Sequence, residues 1–364
     1  MGGCAMADIS LCMIVRNEEA VLARCLDSIR DEVDEIIIVD TGSSDNTKEI
    51  AARYTDKIYD FKWIDDFAAA RNFSFSKATM EFAMWLDADD VLTSTDKKKF
   101  IDLKNSIPKD VDVVMMKYNT AFDESGKPVF SYYRERLIRR NIDFSWKGRV
   151  HEAIVYSGRV MYSDAAVTHR SVKTAYSDRN LRIYESQIAA GEELQPRDQF
   201  YYGRELYYHK YYDKAKQILQ DFLSSGMGWV ENNIEACKIL SYCYRETNDL
   251  FSALNALTAS FQYDTPRAEI CCEIGGLFLH FPNYRVAAFW YELALQIPKE
   301  DQSGAFISED CHGFLPCIQL CVCYDRLGDF KKAEEYNRLA GTYRPDSPAY
   351  LQNLKYFETL MRHS

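Results

Sequence analysis

An aromatic residue or leucine followed three places later by alanine recurs at Tyr212 and Ala215, Leu250 and Ala253, Tyr284 and Ala287, and Phe330 and Ala333, at spacings of 38, 34 and 46 residues. A period of about 34 residues is the length of a stacked helix-turn-helix unit. Counting back twelve positions from each alanine gives Gly203, Ser241, Gly275 and Cys321. All four are small, as paired helices need where their backbones approach closely. Pro266, Pro298 and Pro345 mark the ends of repeat units, since proline cannot continue a helix, and an insert, Glu300 to Gly313, accounts for the longest spacing. Residues 199–360 are therefore expected to form four helical hairpins and a closing helix through Tyr356. Within them, the tyrosines between Tyr201 and Tyr212 are read as part core and part surface, because adjacent residues cannot share one helical face.

The first half has a different rhythm. Asp8 to Val15 is an apolar run, and Glu19 to Arg30 places Val21, Leu22, Cys25, Leu26 and Ile29 on one helical stripe. Glu35 to Asp40 reads as a second buried strand, followed by the turn Thr41 to Asp45 and a helix to about Tyr54. Lys57 to Asp60 and Phe82 to Leu86 read as third and fourth strands. Alternating strands and helices of this kind form a mostly parallel sheet with helices on both faces, whose ligand crevice lies at the carboxyl ends of the strands. Asn17 and Glu18 follow the first strand, Asp40 closes the second, and Asp87-Ala88-Asp89 closes the fourth.

Composition narrows the function classes. A formal charge of -11 disfavours general binding to nucleic acid, which depends on clustered Lys and Arg. No stretch is long and apolar enough for a transmembrane segment or a signal sequence, so a cytoplasmic location is expected. Met1 to Met6 lacks the myristoylation pattern. The eleven cysteines are scattered through apolar patterns without zinc-knuckle spacing and read as reduced, buried thiols.

Two aspartates one residue apart at a strand end direct hard oxygen ligands to one small volume. That suits Mn2+ or Mg2+ bridging a diphosphate. Transfer of a sugar from a nucleoside diphosphate needs such neutralisation, because the leaving diphosphate gains negative charge as the sugar bond breaks.

Four segments then carry a family resemblance. Ile14-Val15-Arg16-Asn17-Glu18-Glu19, Ile37 to Asp45, Asp66-Phe67-Ala68-Ala69-Ala70-Arg71-Asn72 and Trp85-Leu86-Asp87-Ala88-Asp89-Asp90 resemble, in order, the motifs of family 2 glycosyltransferases with the GT-A fold. Glu135 to Arg139 and Trp146 to Glu152 resemble the acceptor side of the same family. The subgroup they resemble carries carboxy-terminal tetratricopeptide repeats and includes peptide and flagellin glycosyltransferases. The resemblance implies a GT-A nucleotide-sugar-binding domain over residues 8–190, followed by an all-α tetratricopeptide-like repeat domain.

Carried over position by position, it implies that Val15, Asn17 and Glu18, with Asp40 and Arg71, hold the uracil and ribose of a UDP-sugar. Asp87 and the intervening Ala88 lie by ribose and metal, Asp89 is the metal ligand, and His169 adds a second ligand. Inversion by direct displacement needs one base for the acceptor proton. Where the family usually has an acidic pair, this chain has His151-Glu152. Glu152 is taken as base and His151 as a substrate contact or alternative base; as a structural residue, Glu152 would instead pair with Arg149 or Arg136.

The expected partners are a nucleotide sugar and a peptide or protein acceptor held by the helical repeats, with oligomerisation open. Rival readings are a glycan or lipid-linked sugar acceptor, a nucleotidyltransferase, and a non-enzymatic repeat scaffold. A nucleotidyltransferase would show a Gly-rich basic loop near its start. None is found here.

Overall fold

The computed structural model describes residues 6–123, 126–172, 177–299, 304 and 306–363. Most of the leader Met1 to Met6 and part of the insert Glu300 to Gly313 lie outside them. The chain divides into two compact units, Met1–Glu193 and Leu194–Ser364.

In the first unit, β1 (Ile9–Val15), β2 (Glu35–Asp40), β3 (Ile58–Asp60) and β4 (Phe82–Trp85) are all parallel and lie in the order β3-β2-β1-β4. The runs in β1, β2 and β4 are buried on both faces because helices cover them. Register aligns their ends: Val15 pairs with Asp40, and Asp40 with Asp60. Leu22, Cys25, Leu26 and Ile29 of α1 (Leu22–Ile29) form its buried stripe. This helix begins later than the apolar pattern suggests. Asn17 turns left-handed at φ 55°, and the Glu18 carbonyl accepts the Val21 and Leu22 amides in a turn. Helix α2 (Thr47–Ala51) likewise stops short of Tyr54.

Helix α3 (Phe67–Phe75) is capped by Asp66, whose carboxylate accepts the Ala69 amide at 2.9 Å. After a two-residue strand β5 (Asp90–Val91) and α4 (Ser94–Ser106), the sheet is extended by β6 (Val113–Phe122), β7 (Pro128–Arg139) and β10 (Val160–His169). The full order is β3-β2-β1-β4-β7-β6-β10-β5, with β7 antiparallel to both of its neighbours and β10 parallel to β6. The hairpin β8 (Phe144–Lys147) and β9 (Ala153–Tyr156) forms its own two-stranded sheet. Trp146 from this hairpin meets Trp85 edge to face, with centroids 5.3 Å apart. Helix α5 (Arg179–Ala189) ends the unit.

The second unit is helical throughout its described residues. Its hairpins are α6 (Pro196–Tyr208) with α7 (Tyr212–Ser224), α8 (Val230–Glu246) with α9 (Leu250–Ala259), α10 (Ala268–His280) with α11 (Tyr284–Gln296), and α12 (Phe314–Arg326) with α13 (Phe330–Tyr343). Helix α14 (Pro348–His363) closes the array. Ala215, Ala253, Ala287 and Ala333 are fully buried. The small residues opposite them permit the contact: a methyl group on Gly203 would lie 2.6 Å from Leu219 Cδ2, and one on Gly275 2.9 Å from the Tyr291 ring. Asp249, Asn283 and Asp329 cap the second helices of three hairpins by accepting the Ser252, Val286 and Lys332 amides. Of the tyrosine-rich stretch, Tyr201 and Tyr202 are buried, whereas Tyr208 and Tyr211 are exposed.

Candidate active site

The loop after β1 is sewn to the loop after β2. The Asn17 amide donates to Ser43 Oγ at 3.0 Å, and its side-chain oxygen accepts the Ser44 amide at 2.8 Å. The Glu18 amide donates to Thr47 Oγ1 at 2.8 Å. Beneath them, Asp40 Oδ1 accepts the Gly42 and Ser43 amides at 2.9 Å each. Its Oδ2 is buried with no hydrogen-bond partner among the described residues. A buried carboxylate oxygen left this way is costly unless a ligand donates to it. Val15 is buried beside it, at the end of β1.

Arg71 projects from α3 and joins two acids. Its Nη2 donates to Asp87 Oδ1 at 2.7 Å and its Nε to Glu152 Oε1. The guanidinium lies 4.8 Å from the Trp85 ring and 4.9 Å from the Trp146 ring, which fix its plane. Withdrawal from water disfavours charge on both partners, but each stabilises the other: the Arg71 pKa is raised, and Asp87 is held below its ordinary range by Arg71 and, more weakly, Arg136 and His169. The partners of Arg71 within the protein are thus two carboxylates and two tryptophan rings. The alternative pairing of Glu152 is corrected: it pairs with Arg71, whereas Arg149 pairs with Glu192 at 2.7 Å and Arg136 with Asp90 at 3.4 Å. His151 bends the chain before Glu152 with a left-handed φ of 51°.

Beyond the buried Ala88, Asp89 meets His169 from the end of β10, with Oδ1 and Nδ1 3.4 Å apart. Asp90, which the sequence reading left unassigned, is the hub of this corner. Fully buried, its Oδ2 accepts the Asp87 amide at 3.1 Å and pairs with the equally buried Arg136. Its Oδ1 accepts Tyr118 Oη at 2.8 Å and lies 3.3 Å from His169 Nδ1. Arg136 also stacks on Trp85 and Tyr118, with ring centroids 3.8 and 4.4 Å away.

Burial and the neighbouring Asp87 and Asp90 raise the Asp89 pKa against the opposing charge of His169. The hydrogen bond to Asp90 and the surrounding carboxylates raise that of His169 despite partial burial. Ligand atoms of Asp89, Asp90 and His169 fall within 4.8 Å of one another. This oxygen-and-imidazole donor set, crowded with like charge, fits Mn2+ or Mg2+.

A GT-A-like α/β sheet gathers at its strand ends a buried carboxylate oxygen unsatisfied among the described residues and a cluster able to hold a divalent cation, and Arg71 joins this corner to Glu152 of the separate β8–β9 hairpin. Residues 10–163 match the family described as glycosyl transferase family 2. A TPR repeat-containing protein of Synechococcus elongatus is 37% identical over 154 residues, 42% of this chain and 36% of its own. The prophage-derived glycosyltransferase SunS of Bacillus subtilis is 28% identical over 209 residues, 54% of this chain and 48% of its own. The lipopolysaccharide core biosynthesis glycosyltransferase LpsC of Rhizobium meliloti is 29% identical over 161 residues, 42% of this chain and 58% of its own. The chain therefore spans less than two thirds of the length of these relatives. Among solved structures, MamA is similar to 44% of this chain and 84% of its own, at 15% identity and a TM-score of 0.36. No described helix is long and apolar enough to cross a membrane.

Proposed function

We propose that the chain is a metal-dependent, inverting glycosyltransferase that moves a sugar from a UDP-sugar to a peptide or protein side chain. The observation that carries the donor reading is Asp40, whose buried Oδ2 lacks a partner while its Oδ1 holds the turn in place. A nucleobase N–H or a ribose hydroxyl supplies the missing donor. Val15, Asn17 and Glu18 frame this pocket, and Asp87 with Ala88 lies on the ribose side.

Asp89 and His169 hold the divalent cation, with Asp90 orienting the imidazole. When bound, the cation supplies charge to offset that of the diphosphate. Glu152 receives the acceptor proton, and Arg71 keeps its carboxylate oriented. His151 contacts substrate beside it.

The helical array suits a macromolecular acceptor, since stacked hairpins offer an extended surface. The exposed Tyr208 and Tyr211 are available for such contacts. The similarity to LpsC favours a second reading, in which the acceptor is a glycan. The described cysteines are all free and buried, consistent with work in the reducing cytoplasm. Incubation with a panel of nucleotide sugars and Mn2+, reading release of free nucleotide, tests the proposal. UDP release abolished by chelator is expected; release from adenine or guanine nucleotide sugars alone would overturn the donor assignment.

A further inference from the structure

A sugar nucleotide brings a diphosphate into the crevice, and its charge grows as the sugar leaves. Three arginines around the site are already committed to carboxylates: Arg71 to Asp87 and Glu152, Arg134 to Glu135, and Arg136 to Asp90. Arg179, the first residue of α5, is exposed, and no described carboxylate lies within ion-pair distance of it.

Its guanidinium carbon rests 4.5 Å from the centroid of the Phe67 ring. Phe67 is the first residue of α3, one turn before Arg71 and on the same face. The Phe67 amide is held by the Arg149 carbonyl at 2.9 Å, so α3 begins against the bend that carries His151 and Glu152. Arg179 is thereby seated on the wall of the crevice that also bears Arg71 and Glu152. Partial withdrawal from water lowers the Arg179 pKa, against the favourable charges of Glu152, Asp87 and Glu18 and with the unfavourable one of Arg16. A guanidinium resting on an aromatic face without a carboxylate partner keeps its fork of donors available, and that fork matches phosphate oxygens.

We propose that Arg179 binds the diphosphate of the donor. This rests on the nucleotide-sugar reading of the crevice but not on which base the nucleotide carries. The test is calorimetric, on the full chain with Mn2+, comparing UDP, GDP and ADP with the corresponding nucleosides for wild type, Arg179→Ala and Arg179→Lys. Because Arg179 is exposed, each variant should melt like wild type without ligand. For the preferred nucleotide, Arg179→Ala should weaken diphosphate binding by about 10- to 100-fold, the scale of a charge-assisted hydrogen bond. Nucleoside affinity should stay unchanged, and Arg179→Lys should recover part of the loss.

Unchanged diphosphate affinity in Arg179→Ala, or an equal loss for nucleoside and diphosphate, overturns the proposal. So does a wild-type protein that binds no diphosphate more tightly than its nucleoside. A preference for guanine or adenine overturns the uridine reading alone, and the diphosphate-to-nucleoside ratio still decides the role of Arg179.

Discussion

Arg71 Nε donates to Glu152 Oε1 across 81 residues of sequence, while the same guanidinium donates to Asp87. One cation therefore joins the acid proposed to lie on the ribose side to the acid proposed as base. Glu152→Gln keeps the shape but cannot take a proton. Turnover should fall by about 10²–10⁴, the range for loss of a general base, with UDP affinity retained. Arg71→Lys should also lower turnover, since an ammonium cannot present the planar fork that meets both carboxylates. Single-turnover rates and UDP titrations on both variants check this; an unchanged rate in Glu152→Gln moves the base to His151.

Asp89 and Asp90 are neighbours with opposite expected failures. Asp89 is partly exposed, so Asp89→Ala should abolish the thermal shift produced by Mn2+ and most activity while leaving the fold intact. Asp90→Ala would strand Arg136 in the interior without its partner, at a cost of about 3–5 kcal/mol. Urea unfolding, followed through tryptophan fluorescence, should show a large loss for Asp90→Ala and little for Asp89→Ala.

Asp40→Asn retains a carbonyl oxygen for the Gly42 and Ser43 amides but turns a donor toward the pocket in place of Oδ2. UDP should raise the melting temperature of wild type by binding only its folded state. The increment should shrink sharply in Asp40→Asn. An equal increment in both proteins would remove Asp40 from the nucleotide site.

Glu35 supplies a pH dependence remote from the chemistry. Burial works against its charge, but hydrogen bonds from Lys57, Ser10 and Thr79 outweigh it and lower its pKa from 4.5 to about 2. A depressed folded-state value means that its stabilisation is present above pH 4.5 and lost as the pH falls toward 2. The contribution is on the order of 2–3 kcal/mol. Glu35→Gln should lower the melting temperature at neutral pH and flatten its dependence on pH in the acid range. Parallel wild-type and variant profiles between pH 5 and 2 would refute this.

In the helical unit, Gly203→Ala puts a methyl group 2.6 Å from Leu219 Cδ2, inside contact distance. Overpacking of this kind costs about 1–3 kcal/mol. Melting monitored by circular dichroism should show the loss, while UDP titration should be unaffected because Gly203 belongs to the second unit.

The parts of the molecule legible in sequence are those where one residue type has one physical use. The apolar runs of β1 and β2 and the small residues where paired helices approach closely identify themselves. Strand β7 does not: Glu135 to Arg139 carry the acceptor-side resemblance, but nothing in their pattern marks Arg136 as core. Arg136 is nevertheless fully buried, because Asp90 answers its charge and two aromatic rings cover it. Asp90 was hidden for the same reason, as an apparent extra acid beside a motif that already had two. The bridge from Arg71 to Glu152 depends on where β8 and β9 fold back, which local pattern does not record. The Trp146 on that hairpin offered a signal, since a large aromatic amid polar neighbours needs a partner, and Trp85 provides it.

The reversed strand β7 bears on how the chain comes into being during synthesis. Asp89 and Asp90 leave the ribosome well before Arg136 on β7 and His169 at the end of β10. Until those strands dock, Asp90 can keep its charge only by remaining in water, so the β4 edge cannot close. A nascent chain halted between Asp90 and Arg136 should therefore hold the first strands open and protease-sensitive, an interval in which an exposed sheet edge invites pairing with another chain. The last strand to emerge, β10, brings His169 to Asp89 and Asp90 as it joins the sheet.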